Sequence, residues 1–134
     1  MTKVKFDIAG QVPSKKNNKR ILKNLRTGNR FIANSEKFNN WHETAMNEIC
    51  LSSKARKFRN VKWEGPLEVM MVFYNKDRIR HDLDNMASSI LDLLVDASYL
   101  EDDCCEIVNR LAVSFGGVDR KNPRVEVTIT ELAE

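Results

Sequence analysis

HDLDNMASSILDLLVDASYLEDD, residues 81–103, decides the fold. Met86, Ile90, Leu93, Leu94 and Ala97 recur at helical spacing, with Asn85, Ser88, Ser89, Asp92 and Asp96 opposite, which predicts an amphipathic helix. Acids stand at both of its ends: Asp82 and Asp84 before or at the start, Glu101, Asp102 and Asp103 after the finish. Upstream, Pro66 opens Leu67–Tyr74, a run dense enough in apolar residues to be a central strand, followed by a charged turn over Asn75–Arg80. Downstream, Ile107, Asn109, Leu111, Val113 and Phe115 alternate with more polar neighbours, Gly116-Gly117 begins a turn, and Val125, Val127 and Ile129 mark a last strand. The helix is therefore a crossover between two strands.

Further out, Val4, Phe6 and Ile8 alternate with Lys3, Lys5 and Asp7, as a half-buried strand does. Residues 10–32 lack apolar periodicity and carry Lys15, Lys16, Lys19, Arg20, Lys23, Arg26 and Arg30, a basic loop or arm with a hairpin expected at Thr27-Gly28-Asn29. Asn34 or Ser35 can cap a helix whose Phe38, Trp41, Ala45 and Ile49 share a face, fading near Ser52-Ser53. The expected order is β-α-β-α-β-β. This is an α/β class chain, a single domain over residues 1–134 with one mixed sheet and its helices packed on one face.

The net charge of +3 conceals an asymmetry. Residues 1–62 hold 15 Lys and Arg against 4 Asp and Glu; residues 63–134 hold 7 against 15. One half is suited to a polyanion and the other to cations. Three cysteines, Cys50, Cys104 and Cys105, form no CxxC pair, which argues against a disulfide framework or zinc ribbon and fits a reducing cytosol. No signal-peptide pattern opens the sequence and no run approaches the ~20 apolar residues of a membrane span, so a cytoplasmic protein without a membrane partner is expected.

Capping accounts for one of Asp82 and Asp84, because aspartate is a preferred N-cap and its charge suits a helix N-terminus. It does not account for Asp102 and Asp103. If both flanking strands join one sheet, the crossover and its turn are expected to return the second acidic cluster beside the first. Carboxylates brought together raise one another's pKa values unless a cation lies among them. An oxygen-only donor set of Asp82, Asp84, Asp102 and Asp103 selects Mg²⁺, or Mn²⁺ in its place. A carboxylate-held divalent ion beside a basic surface is nuclease chemistry: the ion serves phosphodiester cleavage while Lys and Arg hold the backbone. The expected DNA contacts are Lys15, Lys16, Lys19, Arg20, Lys76 and Arg80.

The run Asp82-Leu83-Asp84-Asn85, the Glu101-Asp102-Asp103 turn, the closing Asn122-Pro123-Arg124-Val125-Glu126-Val127-Thr128-Ile129 and the Val12-Pro13-Ser14-Lys15-Lys16-Asn17 segment together resemble the RusA family of Holliday junction resolvases. The resemblance implies a homodimeric, Mg²⁺-dependent endonuclease that cuts four-way DNA junctions by paired nicks. It places the catalytic aspartates on Asp82, Asp84 and Asp103, with Asp102 adjacent. It also places a lysine four residues after the second aspartate, where this chain has Ser88. Either a lysine or arginine from elsewhere then reaches the site, with Lys15, Lys16 and Lys76 the nearest candidates by segment, or the protein is slow. The alternatives are a junction-binding protein of the same fold that has lost turnover, and a protein whose basic arm binds protein partners only.

The remaining candidates have simpler readings. His81 adjoins Asp82 in a basic turn, where a lone histidine is ordinarily solvated. His42 is expected to be structural, Asp92 and Asp96 solvent-facing, and Cys104-Cys105 small buried hydrophobes. Phe58, Trp63 and Tyr74 are read as packing residues rather than base-stacking platforms.

Overall fold

The computed structural model describes residues 3–14, 19–52 and 63–132. Its elements are β1 (Lys3–Ala9), β2 (Lys19–Lys23), β3 (Arg30–Asn34), α1 (Glu36–Leu51), β4 (Leu67–Asn75), α2 (Leu83–Asp96), β5 (Val108–Val118) and β6 (Arg124–Glu131). β1, β6, β4 and β5 form one sheet in that spatial order. β6 pairs antiparallel with both β1 and β4, whereas β4 and β5 are parallel, so the sheet is mixed as expected. The arm departs from the expected order by adding two strands: β2 and β3 close an antiparallel hairpin as a separate sheet. Its turn is held by the Asn24 and Gly28 amides, which donate to the Asn29 and Asn24 carbonyls at 2.7 Å each, and Gly28 supplies the positive φ of 75°.

One face of the four-stranded sheet carries Val4, Phe6 and Ile8 from β1, Val125, Val127 and Ile129 from β6, and Leu67, Val69, Met71 and Phe73 from β4, all buried. Both helices close this face and contribute Ala45 and Ile49 from α1 and Met86, Ile90, Leu93 and Leu94 from α2 to the same core. Burying each such side chain fully is worth about 1.5–3 kcal/mol relative to exposure, which makes this face the main source of stability. α1 begins at Ser35, whose Oγ accepts the Phe38 amide at 3.1 Å, and it ends at the Ser52 cap.

α2 is buried more widely than its stripe predicts, because Asn85, Ala87 and Ser89 are enclosed along with it. The cause is the segment leaving β1. Ser89 Oγ donates to the Pro13 carbonyl at 2.7 Å, so Val12–Ser14 lies along the side of the helix that periodicity left to solvent. Asp96 faces solvent as expected, at 55 % exposure, and also meets His42 of α1 at 2.8 Å, a contact that ties the two helices together.

β5 is an edge strand, and that explains its pattern. Asn109 is skipped in the pairing with β4, which switches the face of the residues from Arg110 to Phe115, and a second skip at Gly116 switches it back. Leu111 and Phe115 then lie toward the helix side but remain exposed at the sheet margin. On the opposite face Tyr74 packs over Gly116, where a Cβ would meet the ring at 2.6 Å. The Arg124 guanidinium stacks 3.9 Å from the Tyr74 centroid and pairs with Asp119 at 3.0 Å and Glu126 at 3.4 Å. Burial acts to lower the Arg124 pKa, but its bonds to Asp119 and the charge of Glu126 outweigh that and raise it. Trp63 donates its indole N–H to the Tyr99 carbonyl at 3.0 Å, so Tyr74 and Trp63 are packing residues as expected; Phe58 lies outside the described residues.

Candidate active site

The β4–α2 loop and the first turn of α2 build the site. Asp82 is the N-cap residue of α2, with φ −85° and ψ 129°, yet its carboxylate makes no capping hydrogen bond. Its Oδ1 instead lies 3.5 Å from Arg80 Nε, in a pair where Asp82 is 45 % and Arg80 91 % exposed. Asp84, also exposed, accepts the amide of the next residue, Asn85, at 2.9 Å. Two carboxylates therefore stand at a helix start without being consumed by capping, which removes the simplest structural account of the D-x-D pattern.

Cationic groups surround this end of the sheet. Lys76, Arg78 and Arg80 are all exposed on the loop between β4 and α2. The Lys76 amide donates to Gln11 Oε1 at 2.8 Å, and Gln11 Nε2 donates to Asn75 Oδ1 at 3.1 Å. With the Ser89–Pro13 bond, these contacts fasten the root of the basic arm beside the start of α2. Lys15 and Lys16, next along that arm, lie outside the described residues; Lys19 and Arg20 begin β2. Gln11 and Ser89 are the positioning residues that sequence reasoning missed. Nothing in the local pattern separated Ser89 from its neighbour Ser88.

Ser88 does not replace a cation. Its Oγ donates back to the Asp84 carbonyl at 3.1 Å, one turn earlier on the same helix. His81 is half-buried and helps to line a groove of about 450 Å³ between the β4–α2 loop and the end of β5. Ile79, Leu83, Met86, Phe115 and Val118 supply its apolar surface.

The second acidic cluster lies elsewhere. β4 and β5 are parallel, so α2 must run back from the end of β4 to the start of β5. Fourteen helical residues at ~1.5 Å each span roughly 20 Å. Asp82 and Asp84 sit where Asn75 neighbours Val118; the turn after Asp103 is bonded through the Cys104 carbonyl to the Ile107 and Val108 amides, where Leu67 neighbours Val108. Asp103 donates its amide to Asp102 Oδ1 at 2.8 Å, and Glu101, Asp102, Asp103, Cys104 and Cys105 are exposed. The expected return of this cluster to the side of the first does not occur within one chain, because a crossover helix opposes both of its strands. Cys104 and Cys105 are exposed free thiols, which corrects their expected burial.

The donor set is all carboxylate oxygen, which suits Mg²⁺ or Mn²⁺ in chemistry. In arrangement it is divided: among the described residues no group of three or more His, Cys, Asp or Glu side chains is placed to hold a metal. Asp82 and Asp84 form one half, and Asp102 and Asp103 the other.

Among the described residues no helix is long and apolar enough to cross a membrane. A family model described as endodeoxyribonuclease RusA matches residues 10–130 of the 134. No curated protein matches the chain.

Proposed function

The chain belongs to the endodeoxyribonuclease RusA family, and on that premise we propose that it cuts four-way DNA junctions by paired, Mg²⁺-dependent hydrolysis during recombination and repair. The observation that carries this reading is the pair of carboxylates on Asp82 and Asp84, uncommitted to capping and set among exposed Lys76, Arg78 and Arg80. Asp82 and Asp84 would hold the ion, with Asp102 and Asp103 as the further donors. The bound ion would activate water and stabilise charge on the oxygens of the phosphate being displaced.

The protein's own residues do the rest. Lys76 and Arg80, with Lys15, Lys16, Lys19 and Arg20 of the arm, neutralise backbone phosphates and fix the strand over the carboxylates. Arg80 has a second role, since it can exchange Asp82 for a phosphate as DNA arrives. The Gln11 and Ser89 contacts hold the arm and the helix start in one frame, so that binding and cleavage groups keep a constant spacing. Homodimer formation is part of the proposal. It is supported by the division of the acids, because a second copy can bring its own Asp103 to an Asp82–Asp84 pair that one chain leaves incomplete. Three free cysteines support a reducing cytoplasm as the place of action.

The test is a labelled four-way junction incubated with the protein in Mg²⁺, in Mn²⁺, in Ca²⁺ and in chelator. Paired nicks in Mg²⁺ and a stable complex in Ca²⁺ are expected. A complex that never nicks in Mg²⁺ or Mn²⁺ makes the chain a junction binder of the same fold, a reading favoured by one observation: Ser88 brings no charge to the site. Failure to bind the junction defeats both.

A further inference from the structure

The groove beside Asp82 combines exposed apolar side chains with guanidinium groups. Ile79 is 66 %, Phe115 53 % and Val118 39 % exposed, although each is large and apolar, and Met86 closes the floor at 0 %. Arg78, Arg80 and His81 stand around the same opening. Asp77 also lines the groove, and its Oδ1 accepts the Ile79 amide at 3.0 Å. Leu83 contributes to the wall, and it lies in sequence between the two candidate metal-binding aspartates. Leu83 therefore sets one wall of the groove directly beside the two carboxylates in the chain.

Its volume of about 450 Å³ falls within the roughly 300–1,000 Å³ typical of small-molecule sites. An apolar slot with an exposed aromatic face and guanidinium groups at its mouth matches a flat heterocycle joined to a phosphate. A second copy of this chain is a poorer occupant. In the proposed dimer the partner would bring its exposed acidic turn to Asp82 and Asp84, and a charged, polar turn does not fill an apolar slot. A base inside intact duplex is also excluded, since it is stacked and paired. A base at a branch point is already partly released and costs least to turn out.

We infer that this groove takes up one unpaired nucleobase next to the phosphate to be cut, with Phe115 as its stacking face and Arg78 and Arg80 on the flanking phosphates. The inference rests on the junction-nuclease reading and adds to it a source of selectivity: cleavage is favoured where a base can leave the stack. Base stacking on an aromatic residue tolerates all four bases, so the groove selects DNA structure before sequence.

The experiment places 2-aminopurine, a base whose fluorescence rises when it unstacks from its neighbours, at each position flanking the cut phosphate of a four-way junction, in Ca²⁺ with the full chain. A severalfold rise on binding is expected at one position. Phe115→Ala, which removes the stacking face, and Val118→Trp, which fills the slot, should each abolish it. Phe115→Ala should also weaken binding to the intact junction on the order of tenfold. On a junction abasic at that position the variant and the parent should bind alike. Both variants alter exposed side chains, and their thermal unfolding is measured alongside.

A chain that binds and cuts the junction with no rise at any position overturns this inference and leaves the nuclease reading standing. A rise that survives in both folded variants overturns it equally. A chain that binds no junction removes both proposals. If Phe115→Arg converts a dimer to a monomer, the groove belongs to the contact between copies, and the nucleobase assignment is wrong.

Discussion

The two ends of α2 carry similar residues and have dissimilar surroundings. At its start, Asp82 and Asp84 lie beside a cationic loop, an apolar groove and the anchored root of the basic arm. After its finish, Glu101, Asp102 and Asp103 lie on an exposed turn stabilised by its own backbone. In sequence the two clusters look interchangeable. In the fold they are separated by the length of a helix, and among the described residues the first has the neighbours suited to holding a polyanion. An acidic cluster acquires chemistry from what the fold puts next to it.

The largest expected effect tests whether both ends belong to one site. Asp82→Asn and Asp84→Asn should each abolish cleavage while junction binding in Ca²⁺ stays equal or tightens, because a ligand charge is lost and a repulsion toward phosphate is relieved. Asp103→Asn should do the same if its carboxylate completes the metal site. Mixing the inactive Asp82→Asn and Asp103→Asn proteins then sharpens the comparison. If Asp103 comes from the partner, each mixed dimer holds one intact site and regains nicking and Mn²⁺ binding. If the Asp103 variant alone cuts normally, the second cluster is a solvated turn and the comparison ends there.

A smaller change is expected at Ser88. Helical side chains lean toward the N-terminus, so a lysine there would lie over the turn that begins at Asp84. One positioned donor to developing charge is commonly worth on the order of 10²–10³ in rate. Ser88→Lys should raise single-turnover cleavage toward that range. No gain, together with a dead Lys15→Ala, Lys16→Ala or Lys76→Ala protein, would mean that the charge is supplied from another segment.

Salt dependence separates arm from loop. Each phosphate contact on duplex DNA contributes roughly −0.9 to the slope of log K against log salt. Replacing Lys15, Lys16, Lys19 and Arg20 by alanine should flatten the slope more than replacing Lys76 and Arg80. Equal slopes in parent and arm variant would leave the arm a solubility feature.

The smallest effect concerns the caps. Ser35 accepts a helix amide through its side chain and Asp82 does not. Ser35→Ala should cost about 1 kcal/mol in urea unfolding, within the usual range for a lost cap. Asp82→Ala should cost clearly less. An equal loss would show that the Asp82 carboxylate caps the helix in solution and is not held for another purpose.

Much of this architecture was legible because periodicity reports burial. Val4, Phe6 and Ile8 face the core as their alternation predicts, and Ile90, Leu93 and Leu94 lie at full burial on the expected stripe. Where the reading failed, another part of the chain intervened. Asn85 and Ser89 are polar and yet buried, because Val12–Ser14 covers them. Leu111 and Phe115 are apolar and yet exposed, because β5 is an edge strand. Neither covering segment nor edge position is written in the local pattern.

By itself the sequence determined the order of the elements outside the arm, the central strand, the crossover helix and the identity of the acids, since local spacing and side-chain polarity suffice for each. Only the tertiary structure decided where those acids stand. The parallel pairing of β4 and β5 sends α2 from one end of the sheet to the other, and no property of residues 81–103 alone reveals which ends the helix joins. Strand direction is set by hydrogen bonds between segments far apart in the chain, and through it the fold places Asp82 and Asp84 with the basic loop and leaves Asp102 and Asp103 apart.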